Sequence, residues 1–346
     1  MTDVSNPTQS SWRRRFKRIA AGFLVLLVVA VVAGALYERS ERTRVAREFP
    51  PPGKLVDIGG RRIHLDCRGT GIPVVVLEAG ADTSGSSLWY LQQSAVAEFT
   101  RVCAYDRAGL MWSDRADGLR DATAIASDLH KALQAAHEPG PYVMVGASIG
   151  GPYVMTFTKY FGDEVAGVVF VDAAHPEQAQ RLEQASGHQE EDIPVVFTAL
   201  AKLAWTGLPR LLLPAPQIPE LPAQVVAAIA AYQPVSLEPA FAEAAAFNDT
   251  FREAGTLRTL GNRPLAVLTA AKPWDAYSAE QRAAAGMTRE QWQRRQAEWF
   301  AMQDEEAGWS TRSTHRKLED SSHVIQLERP DAVIDAIREV VEKIRG

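Results

Sequence analysis

The stretch YVMVGASIGG (142–151) sets Ser148 between Gly146 and Gly150, directly after a run of apolar residues. A serine hydroxyl is a poor nucleophile unless its oxygen is presented to substrate and a base takes its proton. A strand that turns sharply into a helix meets the first need, because the corner lifts the side chain off the sheet edge. The same corner brings two backbones so close that only small residues fit two positions either side of it. The helix that follows points its positive end at the corner. The backbone N–H of Ile149 is then the candidate to bind a developing oxyanion. The second need points to the C-terminal stretch LEDSSHVIQLERPDAVIDAIREVV (318–341), where His323 follows a strand and precedes a final amphipathic helix. His323 is the candidate general base.

These residues need a scaffold, and the intervening sequence describes one. KLVDIGGRRIHLDCRG (54–69) reads as a hairpin around Gly59 and Gly60. PVVVLEAG, RVCAYDRAG, YVMVGAS, AGVVFVDAA and PLAVLTA are short, nearly continuous apolar runs, as expected of strands buried on both faces of a parallel sheet. Helical periodicity between them, as in DATAIASDLHKALQAA (121–136), implies a doubly wound α/β fold. About ninety residues separate VDAA from PLAVLTA. That is too long for a crossover and is expected to form a helical cap at about 176–262. Its most apolar part, FTALAKLAWTGLPRLLLPAP (197–216), is expected to be cap core, the alternative being a channel wall or a membrane-facing surface.

The chain carries 37 Lys and Arg against 42 Asp and Glu, a net charge of −5. Outside the N-terminus it has no long basic tract, so nothing in it suggests a nucleic-acid binder, which would usually carry a basic face. Its seven histidines are scattered and no cysteine pair has zinc spacing. The N-terminus stands apart. A basic block in residues 1–18 precedes the uncharged run IAAGFLVLLVVAVVAGAL (19–36), which as a helix spans roughly 27 Å, near the ~30 Å of a bilayer core. A polar stalk over 37–53 is expected to lead into a domain at 54–346. The expectation is a single-pass anchor with the domain outside the cytoplasm. Secretion after cleavage near Ala33-Gly34-Ala35 is the alternative.

The motifs LEAGADTSGSSLW, CAYDRAGLMWSD, VGASIGG, VFVDAAHPE and SSHVIQLERPDAV together resemble the α/β-hydrolase superfamily over roughly residues 54–345. The resemblance implies a mostly parallel eight-stranded sheet flanked by helices. It also implies chain order serine, acid, histidine. Two positions depart from the family pattern: Ala147 precedes the serine where histidine is usual, and the oxyanion loop begins Ala79-Gly80 rather than His-Gly. By position in that loop, Ala81 supplies the second oxyanion N–H. For the acid, the resemblance offers Asp172, directly after its strand, and Asp275, late in the loop after the next strand. Asp172 is preferred. The family's strand order also makes the second and fourth strands neighbours, so a Cys67–Cys103 disulfide is implied, with two buried free thiols as the alternative.

Several other residues read as structural. Asp106 and Arg107 brace the turn after their strand, and His175 and Glu177 line the site without reacting. Trp292 and Trp299, seven apart on one helix, have core spacing. Trp89 suits pocket or core equally. The function implied is a cofactor-free serine hydrolase, first of all a carboxylic ester hydrolase acting through an acyl-enzyme on a small substrate with an apolar acyl group. A metal-free haloperoxidase-like enzyme, a C–C bond hydrolase and a non-catalytic anchored binding module are the alternatives.

Overall fold

A computed structural model describes residues 7–188 and 194–346. The first six residues of the expected basic block and 189–193 of the expected cap lie outside the described residues. The chain divides into two compact units: the N-terminal helix with residues 195–214, and residues 51–194 with 215–346.

The larger unit holds one eight-stranded sheet in the order β1-β2-β4-β3-β5-β6-β7-β8. The strands are β1 Lys54–Asp57, β2 Arg62–Arg68, β3 Val74–Glu78, β4 Val102–Tyr105, β5 Tyr142–Ala147, β6 Val165–Val171, β7 Gly261–Ala270 and β8 Ser310–Leu318. β1 and β4 both pair antiparallel to β2, and β4 through β8 pair in parallel. The β1–β2 turn uses Gly59 and Gly60 at φ of 100° and 95°, a region costly for residues with a Cβ.

Alternate residues of the central strands go to opposite faces. Tyr142 and Met144 pack with Leu129, Leu133, Val154 and Phe157. Val143 and Val145 pack with Val333, Ile337 and Val340 of the last helix, Pro330–Arg345. Helices thus cover both faces, which is why these strands are apolar throughout rather than alternating. Trp89 resolves to core, 1% exposed and packed among these strands. Between β6 and β7 the larger unit carries the helices Gln178–Ser186, Ala223–Ala245 and Phe247–Ala254. Between β7 and β8 it carries Ala279–Ala284 and Arg289–Ala307.

In the smaller unit the N-terminal helix runs unbroken from Pro7 to Glu48. Its stretch Arg14–Glu48 is long and apolar enough to cross a membrane. The stretch expected as a stalk is therefore helical to Glu48. It contains no proline or glycine between Tyr37 and Glu48, and Arg42–Glu38 and Arg44–Glu41 pair along its surface, each at 2.9 Å. The apolar part of the expected cap differs from expectation too. Residues 195–214 are grouped with this helix, and most of their large apolar side chains are exposed. They are not cap core.

Cys67 and Cys103 face each other in the β2–β4 ladder and are joined by a disulfide closing a separation of 36 residues. Unreduced protein should weigh about 2 Da less than reduced protein, the mass of two hydrogens. The double replacement Cys67→Ala/Cys103→Ala should lower unfolding free energy by about 2–4 kcal/mol, read from urea titrations. Two thiols titrating in the unreduced, denatured chain would contradict this structure.

Candidate active site

Ser148 stands at the corner between β5 and the helix Gly150–Phe161 with φ of 53°, in the left-handed region that residues with a Cβ rarely adopt. Its backbone is fixed from both sides: its N–H donates to the Val171 carbonyl at 3.2 Å, and its carbonyl accepts from Gly151 and Ala174 at 3.0 and 2.8 Å. The flanking glycines are required by space. A Cβ on Gly146 would lie 2.6 Å from the Gly150 carbonyl carbon, and one on Gly150 would lie 2.7 Å from the Glu78 carbonyl oxygen. Gly151 meets Ala173 as closely, at 2.6 Å.

The sheet brings Asp172 and His323 to the same corner. Asp172 follows β6 immediately and also has positive φ, 45°. His323 lies between β8 and the last helices. The Ser148 Oγ is 2.9 Å from His323 Nε2, and His323 Nδ1 is 2.6 Å from Asp172 Oδ2. With the carboxylate as acceptor, Nδ1 donates and Nε2 accepts from the serine hydroxyl. Such a series can draw the proton from Ser148 while the acid steadies the imidazolium that results. Asp275 is elsewhere: it sits in the turn Trp274–Ala276, largely exposed, and pairs with Arg289 at 2.5 Å.

The Asp172 carboxylate has two further donors. Its Oδ1 accepts from the Ala270 backbone N–H and from the indole N–H of Trp299, both at 2.9 Å. The core spacing of Trp292 and Trp299 therefore does not describe their surroundings. Trp299 orients Asp172, and both tryptophans line the cavity over Ser148. Nothing in the spacing could reveal this, since the partner lies 127 residues away. Nearby Glu306 is buried, and burial, with the negative charge of Asp172 adding, pushes its carboxyl well above the usual range.

Ile149 and Ala81 carry the two candidate oxyanion N–H groups. Neither group makes a hydrogen bond among the described residues. The loop bearing Ala81 runs close to the serine, so that a Cβ on Gly80 would sit 3.2 Å from the Ser148 Cβ. Arg107 fixes this loop. Fully buried, it donates to the carbonyls of Ala79 and Gly80 at 2.9 and 2.8 Å and pairs with Glu78 at 2.8 Å and Glu243 at 2.9 Å. Sequence reading gave Arg107 a bracing role in its own turn; it braces a different loop and ties it to the cap helix Ala223–Ala245. Neither Glu78 nor Glu243 was legible as its partner. Asp106 accepts from Ser86 N–H at 2.7 Å and faces His64 at 2.8 Å. His175 is buried against Trp309, and Glu177 pairs with Arg258, so neither lines the cavity.

The cavity over Ser148 measures about 510 Å³. Leu182, Met287, Trp292 and Trp299 give it an apolar wall, with Lys272 and Arg295 adding positive charge.

The family model described as alpha/beta hydrolase family matches residues 74–336. An esterase from Thermogutta terrifontis superimposes with a TM-score of 0.56 at 21% identity, covering 85% of this chain and 98% of that one. A bromoperoxidase from Bacillus anthracis gives 0.57 at 20% identity, covering 84% and 99%. Among curated proteins, the probable transporter efuK of Hormonema carpetanum is 35% identical over 128 residues, 35% of this chain and 18% of that protein. The chain spans half or less of the length of the curated relatives it matches.

Two outcomes follow from the geometry. Asp172→Asn should lower kcat by about 10⁴, as loss of the acid does in serine proteases, while Asp275→Asn stays within about tenfold. The reverse ranking in two variants folded by circular dichroism would move the acid to Asp275. The second concerns Asp82, which accepts from the Ser84 and Gly85 N–H groups. Burial pushes its carboxyl up to about 6 from the ordinary 3.8. The folded chain then holds a proton that the unfolded chain releases, so stability falls as pH rises through that window. Asp82→Asn should flatten this part of the slope in urea midpoints, and an unchanged slope would exclude Asp82 as its source.

A match across more than half of its length, on the fold and elbow geometry just described, identifies this chain as a member of the alpha/beta hydrolase family.

Proposed function

We propose that the chain is a serine hydrolase of carboxylic esters, held at a membrane by its N-terminal helix. The observation that carries this reading is the hydrogen-bonded series from Ser148 through His323 to Asp172, at 2.9 and 2.6 Å. Ser148 Oγ attacks the ester carbonyl carbon as its proton passes to His323 Nε2. The carbonyl oxygen becomes an oxyanion held by the N–H groups of Ile149 and Ala81, each worth about 3 kcal/mol in related sites. Collapse breaks the bond to the alkoxy group, which leaves as alcohol with the proton from His323. Water, deprotonated by the same imidazole, then releases the acid and restores Ser148. Asp172 keeps the reactive tautomer throughout, and no cofactor enters any step.

The cavity supports an uncharged or anionic substrate with an apolar acyl group. Leu182, Met287 and the two tryptophans would take the acyl chain, and the cations Lys272 and Arg295 would disfavour a positively charged one. The apolar helix ending at the juxtamembrane arginines supports the anchor, and the Cys67–Cys103 disulfide supports a domain facing an oxidising compartment.

A fluorophosphonate probe tests the nucleophile directly. The full chain should be labelled, with labelling abolished in Ser148→Ala and in parallel with turnover of p-nitrophenyl esters. Labelling without turnover of any chain length would leave a reactive serine acting on another bond. No labelling of the folded chain would favour a binding module.

A further inference from the structure

Residues 195–214 carry Lys202 and Arg210 but no acidic residue, and their apolar side chains are turned outward. Val195 is 81% exposed, Leu211 69% and Trp205 52%. Phe197, Leu208 and Leu212 belong to the same exposed set. A soluble domain rarely leaves so much apolar surface on one short segment without a partner.

The segment has a defined seat. It forms the helix Val195–Lys202, a turn at Ala204–Thr206 and the short helix Leu208–Leu212. The turn packs on the N-terminal helix where the apolar run 19–36 ends. A Cβ on Gly34 would lie 2.3 Å from the Thr206 carbonyl oxygen, so only glycine admits the contact. A Cβ on Gly207, which has φ of 73°, would lie 3.0 Å from the Tyr37 ring. Small residues that let backbones touch are the usual means of helix contact in lipid, where burial of apolar surface drives nothing. Beside this contact Glu38 is buried and accepts from Arg210 Nε and Nη2 at 2.8 and 3.0 Å and from Arg42 Nε at 2.9 Å. Glu38 and Arg210 are thus satisfied against each other while most of the large hydrocarbon side chains face out, the reverse of a surface made for water.

Its position along the helix says what the face meets. Gly34, Tyr37 and Glu38 mark the level at which the apolar run leaves a bilayer core and enters the headgroup layer. Apolar helices that lie at that level, carrying tryptophan and basic but no acidic residues, bury their outer face in the boundary between headgroups and acyl chains. We infer that residues 195–214 are a second membrane-contacting element, lying in the interface of a phospholipid bilayer next to the N-terminal helix. The inference rests on the membrane reading of that helix.

The test uses the full chain in phosphatidylcholine–phosphatidylglycerol vesicles. The two native cysteines are bridged, so an introduced cysteine carries an environment-sensitive fluorophore at one position only. Leu26→Cys reports on the apolar run, Leu211→Cys and Leu212→Cys on the proposed element, and Lys131→Cys, on an exposed helix position, on water. Lipids brominated near the headgroup end of the chain should quench positions 211 and 212 about threefold more than position 131, and lipids brominated near the tail end should quench position 26 most. Quenching at 26 with none at 211 or 212 would overturn the inference and leave the anchor standing. Blue-shifted emission at 211 without lipid quenching would also overturn it, since a second copy or another protein would then cover the face. Absence of quenching at 26, 211 and 212 alike would remove the anchor and the inference together.

Discussion

The left-handed backbone at Ser148 is the constraint to which the larger unit answers. A residue with a Cβ costs of order 1–3 kcal/mol there and persists only where its surroundings over-determine it. The surroundings are specific: Val171 accepts from the serine N–H, Gly151 and Ala174 donate to its carbonyl, Gly146 and Gly150 stand where no side chain fits, and Gly80 packs closely against the serine. The contacts come from β3, β5, β6 and the helix after β5. Their joint arrangement requires parallel strands that end at a common edge. A sheet that did not register β5 between β3 and β6 could not hold the hydroxyl up.

Asp172 repeats the device one strand away. It too has positive φ, and its N–H is tied to the Leu268 carbonyl at 2.7 Å as Ser148 is tied to Val171. Each strand thus anchors the residue that ends its neighbour. Three donors then saturate the carboxylate, from His323, Ala270 and Trp299. A carboxylate so held has a fixed orientation, and as acceptor it leaves His323 Nδ1 the donor of that pair. Arg107 does for the loop bearing Ala81 what Trp299 does for Asp172. Buried with two carboxylates and two carbonyls, it exchanges a desolvation cost for fixed geometry, in surroundings where electrostatic interactions are strong.

The parts of this arrangement that depend on local chain geometry were legible in the sequence. Apolar runs ending in Gly-Ala-Ser or Asp-Ala-Ala announce buried strands that stop at an edge, and the spacing of Gly146, Ser148 and Gly150 announces the elbow. The choice of Asp172 over Asp275 needed the family resemblance. Trp299, Glu78 and Glu243 were out of reach, because each is a contact between elements far apart in the chain. Seven-residue spacing of tryptophans describes one face of a helix, and it is silent on whether that face meets a core or a cavity.

Over 197–216 the sequence leaves cap core and membrane-facing surface both open, for a physical reason of the same kind. An apolar stretch destined for a protein core and one destined for lipid have the same composition, because acyl chains and leucine side chains are equally poor solvents for polar groups. What separates the two is the packing device. A core segment interlocks large side chains with its neighbours. This one meets its neighbour through Gly34 and Gly207, buries the Glu38–Arg210 pair at the contact, and leaves its large side chains facing out. The contact takes a glycine from each partner, Gly34 on the helix and Gly207 in the turn. The second glycine lies some 170 residues from the first, beyond any periodicity a single sequence can display.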